Sequence, residues 1–384
     1  MSLPPHHARA RFSMKDSLTG IEVLEIGVMT PGKFTGSLLV GWGARSLRVE
    51  RPGSGSGTIT DEDFLLNRGK RSMQLDLRSE IGRGVIHRLA ARADVVIEGH
   101  RPGVAKRLGI DWETLRGLNQ RLVYCAISGF GQDGPDRLRP GYDLIFQAAT
   151  GLLQTTSPRG AEPGLPETFV ADAGTGLAAG FAIAAALRKA AVEGAGTYID
   201  LAMQDVAFSM LAVSHGTQRP GSGQAVRAPR ASYNVYPTAD GRHIAIGAAR
   251  PASCRALFTH LGRADLAERG MVPGDAEAAA FLAEALAAKT AAETVAELRP
   301  LDIEVSLVRS PAEAFDDPQL KARGTVMTSE HPAAGPLRQI NAFAASGSPD
   351  LAPAPEIGRD TDEILAELGY DKADRAALRD GGAA

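Results

Sequence analysis

From Ile21 onward, short strand-like runs alternate with longer helical ones, and few folds accommodate that order. The runs read IEVLEI, FTGSLLVGWGA, RSLRVE, MQLDL, IGRGVIHRLAARA, DVVIEG and RLVYCAISGF. Ile81, Val85 and Leu89 recur every four residues, which predicts a helix with one face on a sheet. DVVIEG is typical of a fully buried strand. We therefore predict an α/β fold, with a large, doubly wound, Rossmann-like domain whose largely parallel sheet is covered by helices on both faces.

A second, smaller domain is predicted after residue 231. Residues 217–231, TQRPGSGQAVRAPRA, show no hydrophobic periodicity, which is typical of a linker or loop. The following SYNVYPTADGRHIAIGA alternates around Asp240-Gly241, a strong β-hairpin signal. Ala- and Glu-rich helices over residues 251–298 and the strand-like IEVSLVRS complete a small α+β unit. The chain then ends in two predicted helices.

Composition excludes several classes of function. The 384-residue chain has a formal net charge of −3, so it has no overall basic field for nucleic acid or anionic lipid. Its two cysteines, Cys125 and Cys254, support neither a disulfide framework nor a thiolate metal site, and the scattered histidines predict no metal. Residues 1–17 predict a flexible extension without a secretion signal, which favours a cytoplasmic protein. The apolar run 176–187 is too short to cross a bilayer and predicts a buried helix.

One carboxylate stands out in FVADAGTGLAAGFAIAAAL, residues 169–187. Asp172 precedes an uncharged helical run, so it could simply be the N-cap of that helix. The glycines at 174, 176 and 180 weaken the helix but keep side-chain bulk away from the carboxylate, which would allow a ligand to approach. The positive end of the helix dipole is expected to keep Asp172 ionised. Both interpretations stay open from this segment alone.

Glycine loops and basic residues suggest anion binding. PGSGSG at residues 52–57 lacks a helix directly after its glycines, which argues against a dinucleotide fingerprint, and GSGQ at residues 221–224 is an ordinary loop pattern. Several basic side chains follow predicted strand ends, where open α/β sheets bind ligands. They belong to a basic cluster that comprises Arg51, Arg68, Lys70, Arg71, Arg101, Lys106 and Arg107. Any one of these residues alone would most simply be surface charge, but together they would suit a polyanionic ligand such as a nucleotide diphosphate.

Several ordered motifs resemble those of one known family. They are ERPGSG, NRGKRSMQLDLRSEIGRG, DVVIEGHRPGVAKRLGIDWETLRGLNQRLVYCAISGFGQDGP, RPGYDLIFQAATGL, VADAGTGLAAGFAIAAAL, YPTADG, FDDPQLKARG and GRDTDEILAELGY. In this order and spacing they resemble the class III CoA-transferases, the formyl-CoA transferase and carnitine CoA-transferase family. The resemblance runs from about Leu18 to Leu368.

The resemblance implies that Asp172 is a nucleophile. Its carboxylate would attack an acyl-CoA thioester, and CoA would pass through an aspartyl anhydride and an aspartyl-CoA thioester to a small carboxylic acid. Coenzyme A is thus expected as part of the substrate, with no permanently bound cofactor. Gly174 and Gly176 are expected to leave room for the thioester, and backbone N–H groups of the turn to receive the oxyanion.

The resemblance also implies a set of CoA contacts. In the family, the segment after the first strand wraps the adenine and pantetheine, and arginines meet the phosphates or adenine. Gly99 and His100 stand where the family commonly has Asn-Phe, so that asparagine contact is missing, and MTPGKF replaces the usual L-A-G-P. The residues carried over to the CoA site are Val28, Met29, Thr30, Pro31, Arg51, Leu75, Gly99, His100, Arg107 and Tyr142.

Three alternatives remain open. The related α-methylacyl-CoA racemases use a histidine and an aspartate as acid and base, but Tyr142 stands where that histidine belongs, which favours a transferase. Asp143 would then be a supporting carboxylate. Transfer between two carboxylates of one acid would have the same sequence signature. CoA binding without turnover is permitted by the altered MTPGK and GHRPG stretches, but the intact Asp172 argues against it.

The family forms an interlocked homodimer, and the resemblance implies that assembly here. The large domain would comprise residues 18–205 and 326–384, and the small domain residues 232–309. Linkers at 206–231 and 310–325 would join them.

Overall fold

The computed structural model describes residues 16–53, 60–157, 161–217, 229–341 and 350–384. Its packing divides the chain into two compact units, one of Met1–Thr217 with Pro318–Ala384 and the other of Gln218–Asp317. The first unit holds a six-stranded, all-parallel sheet. Its strands are β1 (Glu22–Ile26), β2 (Arg45–Glu50), β3 (Arg71–Gln74), β4 (Val95–Glu98), β5 (Val123–Ser128) and β6 (Thr197–Ala202). Their order, β3-β2-β1-β4-β5-β6, confirms the predicted α/β fold with a parallel sheet.

Helices cover both faces of this sheet. Alternate side chains of β1 enter different cores, with Leu24 on one face and Val23 on the other. The helices of this part of the chain are α1 (Thr30–Gly41), α2 (Asp61–Leu66), α3 (Glu80–Ala90), α4 (Val104–Leu108), α5 (Trp112–Leu118), α6 (Asp143–Thr150), α7 (Leu152–Thr156), α8 (Val170–Glu193), α9 (Met203–Ser209) and α10 (Ala212–His215). Helices α3 and α5 pack in the core around Leu24, and α1 and α8 in the core around Val23.

Two predicted elements differ in detail from the structure. Helix α3 is confirmed, but it buries Val85 and Ile86, while Ile81 is 54% exposed because it lies in the first turn, outside the core. The predicted helix is present as α8, but it spans 24 residues, so the prediction that this segment is too short to cross a bilayer was wrong. Length and composition alone would allow α8 to cross a bilayer. It lies instead against the sheet and α1, with Ala179 and Ile183 fully buried.

The second unit is a small α+β structure. Strands β7 (Tyr233–Pro237) and β8 (His243–Gly247) form the predicted hairpin, and Gly241 at its turn has φ +72°. Strand β9 (Val305–Leu307) pairs antiparallel with β8. The helices are α11 (Pro251–His260), α12 (Ala276–Ala287), α13 (Ala291–Leu298) and α14 (Pro311–Ala314), with short 3₁₀ turns at Ala264–Leu266, Arg269–Met271 and Arg299–Leu301.

The chain then returns to the first unit. Its last elements are α15 (Pro318–Ala322), β10 (Val326–His331), β11 (Gly335–Ile340), α16 (Thr361–Glu367) and α17 (Lys372–Asp380). Strands β10 and β11 form a separate antiparallel pair. Short helices occupy parts of both predicted linkers, namely α9 and α10 in the first and α14 and α15 in the second. The GSGQ loop, most of PGSGSG and the first 15 residues lie outside the described residues.

Candidate active site

The strand order places a crevice between β1 and β4. Strands β2 and β3 continue from β1 to one side, and β5 and β6 continue from β4 to the other. At such a switch point the segments after the two strands diverge, and ligands bind outside the carboxyl ends of the strands. The predicted contacts Val28 to Pro31 follow β1, and Gly99 and His100 follow β4. Two stretches that are distant in sequence therefore meet at one edge of the sheet.

The two segments are packed closely by glycines. A methyl group added at Gly99 would lie 2.9 Å from the carbonyl oxygen of Gly27, and one added at Gly27 would lie 2.4 Å from His100 Cε1. The His100 ring is held in place, because its Nδ1 lies 2.9 Å from Glu98 Oε1 and its backbone N–H donates to the same oxygen. The His100 ring thus packs against Gly27, directly after β1.

Asp172 is the third residue of α8. The helix begins at Val170 and its N-cap is Phe169, so the interpretation of Asp172 as the N-cap was wrong. The cap comes from another helix: Asp143 Oδ1 accepts hydrogen bonds from the backbone N–H groups of Ala171 at 2.8 Å and Asp172 at 3.1 Å. The side chain of Asp172 therefore does not cap the helix, and it is half-buried.

Asp143 is itself held from within α6. It is 5% exposed, and the Gln147 amide one turn later donates to its second oxygen and to the carbonyl of Thr168. The other amide atom of Gln147, Oε1, is buried and has no hydrogen-bond partner among the described residues. Gln147 was not predicted from the sequence, although its spacing from Asp143 in DLIFQ suits a helical contact.

The remaining N–H groups at the start of α8 are also occupied. Val170 donates to the carbonyl of Thr168, and Ala173 donates to that of Phe169. The expectation that this turn would receive an oxyanion is therefore wrong, because all four of its donors already have acceptors. At the start of α1, by contrast, the backbone N–H groups of Thr30 and Gly32 have no acceptor within the described parts of the chain.

Helices α1 and α8 run side by side in the same direction. A methyl group at Gly176 would lie 2.7 Å from Phe34 Cδ1, and one at Gly180 would lie 3.4 Å from Leu38 Cδ1. From the first contact to the second, each helix moves on by four residues, about one turn. Four residues earlier on both helices, the same register pairs Thr30 of α1 with Asp172 of α8.

The glycines of α8 therefore serve helix packing. Gly176 and Gly180 face α1, and Gly174 faces α9, where an added methyl group would lie 2.8 Å from Met210 Cε. The expectation that Gly174 and Gly176 leave room for a substrate is not supported, because their Cα atoms are already covered by protein.

The electrostatic surroundings of Asp172 are unfavourable for a negative charge. Burial, followed by the charges of Asp143 and Glu62, raises the pKa of Asp172 to about 7. The helix dipole was expected to keep Asp172 ionised, but burial and the two neighbouring carboxylates outweigh it and favour the protonated form. Such a pKa is typical of groups that take part in chemistry.

Glu62 enters the site from α2 and was not predicted. Its carboxylate accepts a hydrogen bond from the Thr30 hydroxyl at 2.9 Å and lies 3.0 Å from the Lys33 ammonium. Lys33 also binds Asp63 at 2.8 Å. The acidic run DED at 61–63 was the available sequence signal, but only the fold shows which of its members faces Asp172.

The other predicted CoA contacts occupy different environments. Pro31 is buried, Val28 is half-buried and Met29 is 58% exposed. Tyr142 is 77% exposed at the N-cap of α6, directly before Asp143. Arg51 after β2 and Arg107 on α4 are exposed, so both guanidinium groups lie at the surface.

Four of the residues considered for an anion or CoA site have side chains that are buried or already paired. Leu75 is 1% exposed in the core, so only its backbone could take part. Lys70 is fully buried against Glu25, with a pKa lowered by burial to about 8. Arg68 is buried and donates to the carbonyl of Leu351, and Arg71 pairs with acidic residues of α16. Within NRGKRS, Lys70 and Arg71 thus pair with acidic side chains, while Arg68 is buried with its guanidinium against a backbone carbonyl.

Within the described ranges, no group of three or more His, Cys, Asp or Glu side chains could hold a metal ion.

The fold and site define a doubly wound α/β protein with a carboxylate of raised pKa beside its topological switch point. The chain belongs to the CoA-transferase family III, whose family model matches residues 18–361. It is 33% identical to the alpha-methylacyl-CoA racemase of Homo sapiens, over 93% of this chain and 94% of that protein. It is 31% identical to the succinate–glutarate CoA-transferase of Agrobacterium fabrum, over 92% of this chain and 96% of the relative. The crystal structure of Rv3272 from M. tuberculosis in its orthorhombic form matches with a TM-score of 0.80 at 29% identity, covering 91% of this chain and 99% of that one.

Proposed function

We propose that the protein is a CoA-transferase that moves CoA from an acyl-CoA thioester to a free carboxylic acid, with Asp172 as the nucleophile. The observation that carries the proposal is a half-buried carboxylate whose own helix is capped by a different acid, Asp143, at 2.8 and 3.1 Å. Asp172 is thereby free to form a covalent bond while its backbone stays fixed. The family match and the named CoA-transferase relative support the same reaction.

The proposed cycle conserves the thioester energy through two covalent states. A carboxylate oxygen of Asp172 attacks the thioester carbon, the C–S bond breaks, and CoA leaves as the thiolate while an aspartyl anhydride forms. The thiolate then attacks the aspartyl carbonyl carbon, releasing the donor acid and leaving an aspartyl-CoA thioester. The acceptor carboxylate then attacks the aspartyl-CoA thioester and expels the thiolate, so that a second anhydride forms. The thiolate attacks the acceptor carbonyl carbon of this anhydride, which gives the new CoA ester and frees the Asp172 carboxylate.

The chain offers specific groups for these steps. The backbone N–H groups of Thr30 and Gly32, which have no acceptor among the described residues, are proposed to receive the oxyanion of each tetrahedral intermediate. Exclusion of water matters because water would hydrolyse the anhydride. The exposed guanidinium groups of Arg51 and Arg107 are proposed to meet the phosphates of CoA.

A racemase is the second candidate. A pKa of about 7 at Asp172 would also suit proton transfer at the carbon beside a thioester, and one relative is a racemase. Tyr142 stands where we expect the second acid–base group of such an enzyme, and its side chain is largely exposed. Incubation with an acyl-CoA and an acceptor acid in D₂O separates the two. CoA exchange supports the transferase, whereas deuterium incorporation at the α carbon without exchange supports the racemase.

We also propose a cytoplasmic homodimer. The described chain exposes large apolar side chains on α8, α9 and α10, with Phe181 at 79%, Phe208 at 64% and Val213 fully exposed. Apolar surface of this kind is typical of a subunit interface. The interlocked arrangement of the two chains rests on the family resemblance.

A further inference from the structure

Glu62 is held at the N-terminal end of α1. Its two oxygens bind different partners on that helix, the Thr30 hydroxyl at 2.9 Å and the Lys33 ammonium at 3.0 Å. Thr30 is also the residue that the register of α1 and α8 brings beside Asp172, since Phe34 meets Gly176 one turn later. Glu62 is therefore tied to the residue of α1 that this register brings nearest to the proposed nucleophile.

The charges around Glu62 do not cancel. Lys33 is shared between Glu62 and Asp63, and Arg48 is shared between Asp63 and Glu50. This ion-pair cluster therefore contains three carboxylates and only two cationic side chains. Its net charge is −1. Burial raises the pKa of Asp63, but hydrogen bonds from Lys33 and Thr60 outweigh burial and lower this pKa to about 2. Asp63 therefore stays ionised and continues to compete with Glu62 for Lys33.

The charge of Glu62 is felt at Asp172. Together with burial and Asp143, it is one of the causes that raise the pKa of Asp172. A second negative charge carried by a substrate in the same region would meet the same repulsion.

We propose that Glu62 is a specificity residue that disfavours acyl groups and acceptor acids carrying a second carboxylate, so that monocarboxylic acids are the preferred substrates. The inference rests on the proposed CoA transfer at Asp172. Its physical basis is repulsion of the wrong substrate, which discriminates without any new attractive contact. Lys33 has the opposite effect, because it neutralises part of the charge of Glu62.

The test compares two donors of equal chain length, butyryl-CoA and succinyl-CoA, with acetate as the common acceptor. The measured quantity is the ratio of their kcat/KM values in wild type, Glu62→Gln, Lys33→Met and Glu113→Gln. Glutamine keeps acceptor and donor atoms for Thr30, so Glu62→Gln changes the charge with little change in shape. Glu113 is an exposed acid on α5 and serves as the matched control.

Wild type is expected to prefer butyryl-CoA. Glu62→Gln should move the ratio toward succinyl-CoA by about tenfold, Lys33→Met should move it the other way, and Glu113→Gln should leave it unchanged. A variant that had merely lost structure would show lower kcat/KM values for both donors. It would not produce opposite shifts of their ratio in Glu62→Gln and Lys33→Met. An unchanged ratio in Glu62→Gln with transfer intact, or a wild-type preference for succinyl-CoA, overturns this inference alone. Absence of transfer from a broad panel of monocarboxylic and dicarboxylic esters overturns the proposed function, and this inference with it.

Discussion

The carboxylate of Asp143 caps the helix that carries Asp172, accepting the backbone N–H of Asp172 at 3.1 Å. This one contact fixes the position of the proposed nucleophile and also places a second negative charge beside it. A helix start normally favours a carboxylate. Here the favourable position is occupied by Asp143, and Asp172 is left with the unfavourable consequences of burial and like charge.

Removal of the nucleophile should abolish CoA transfer. In Asp172→Ala we expect no exchange above background, with CoA binding retained, because the proposed phosphate contacts Arg51 and Arg107 lie elsewhere in the chain. Rates and equilibrium binding of CoA check both parts. Mass spectrometry after incubation of wild type with acyl-CoA and hydroxylamine should place the adduct on Asp172. Asp265→Asn, in the small unit, is the control, and a fully active Asp172→Ala would refute the mechanism.

The pH profile should report the environment of Asp172. The nucleophile acts as the carboxylate, so kcat/KM should fall as the pH drops through about 7. In Asp143→Asn an amide oxygen can still accept the two N–H groups, but the negative charge is gone. The pKa of Asp172 is then lowered, and the acid limb of the profile should move to lower pH. A limb that stays in place or moves upward would mean that Asp143 does not act through its charge.

Ionisation of Asp172 should cost stability. Its pKa is raised from 3.8 unfolded to about 7 folded, so the native state binds the proton more tightly and loses stability as the pH rises between these values. Asp172→Asn avoids this loss. Its advantage over wild type in denaturant unfolding should be small near pH 4 and grow to about 2 kcal/mol above pH 7, about half of what the shift implies because the carboxylate is partly solvated. An advantage that shrinks as the pH rises would contradict the assignment.

Two glycine-to-alanine changes should have opposite effects. In Gly176→Ala the new methyl group would lie 2.7 Å from Phe34, so α1 and α8 must separate, at a cost of about 1–3 kcal/mol. Gly84 lies in the middle of α3 at a solvent-exposed position, and a methyl group added there would have no neighbour within 4 Å. Gly84→Ala should therefore stabilise the protein by about 0.5–1 kcal/mol. Thermal unfolding of both variants tests the packing. A stabilised Gly176→Ala would mean that the two helices do not approach as described.

Subunit association should persist on dilution. We expect sedimentation analysis to give the mass of a dimer at every concentration that can be measured, because the exposed apolar side chains such as Phe181 and Phe208 would be covered by a second chain. A monomer at any concentration where the protein stays folded would count against the proposed assembly.

Many local features were predictable from the sequence. The alternation that begins at Ile21 predicted the parallel α/β sheet, and Asp240-Gly241 predicted the hairpin of β7 and β8. These features depend on side-chain periodicity and turn conformation, which neighbouring residues determine. The family assignment also came from ordered motifs in the chain, and the family match confirms it.

Other features were decided only by the tertiary structure. The sequence placed Asp172 at the start of a helix, but it could not show that Asp143, 29 residues earlier, supplies the cap. It indicated that Lys70 could bind an anion, whereas the fold buries Lys70 against Glu25, 45 residues away. The α8 glycines suggested space for a substrate and instead receive Phe34 and Met210. The physical reason is the same throughout: hydrogen bonding, burial and charge depend on which distant side chain arrives at a site, and local periodicity carries no information about that partner.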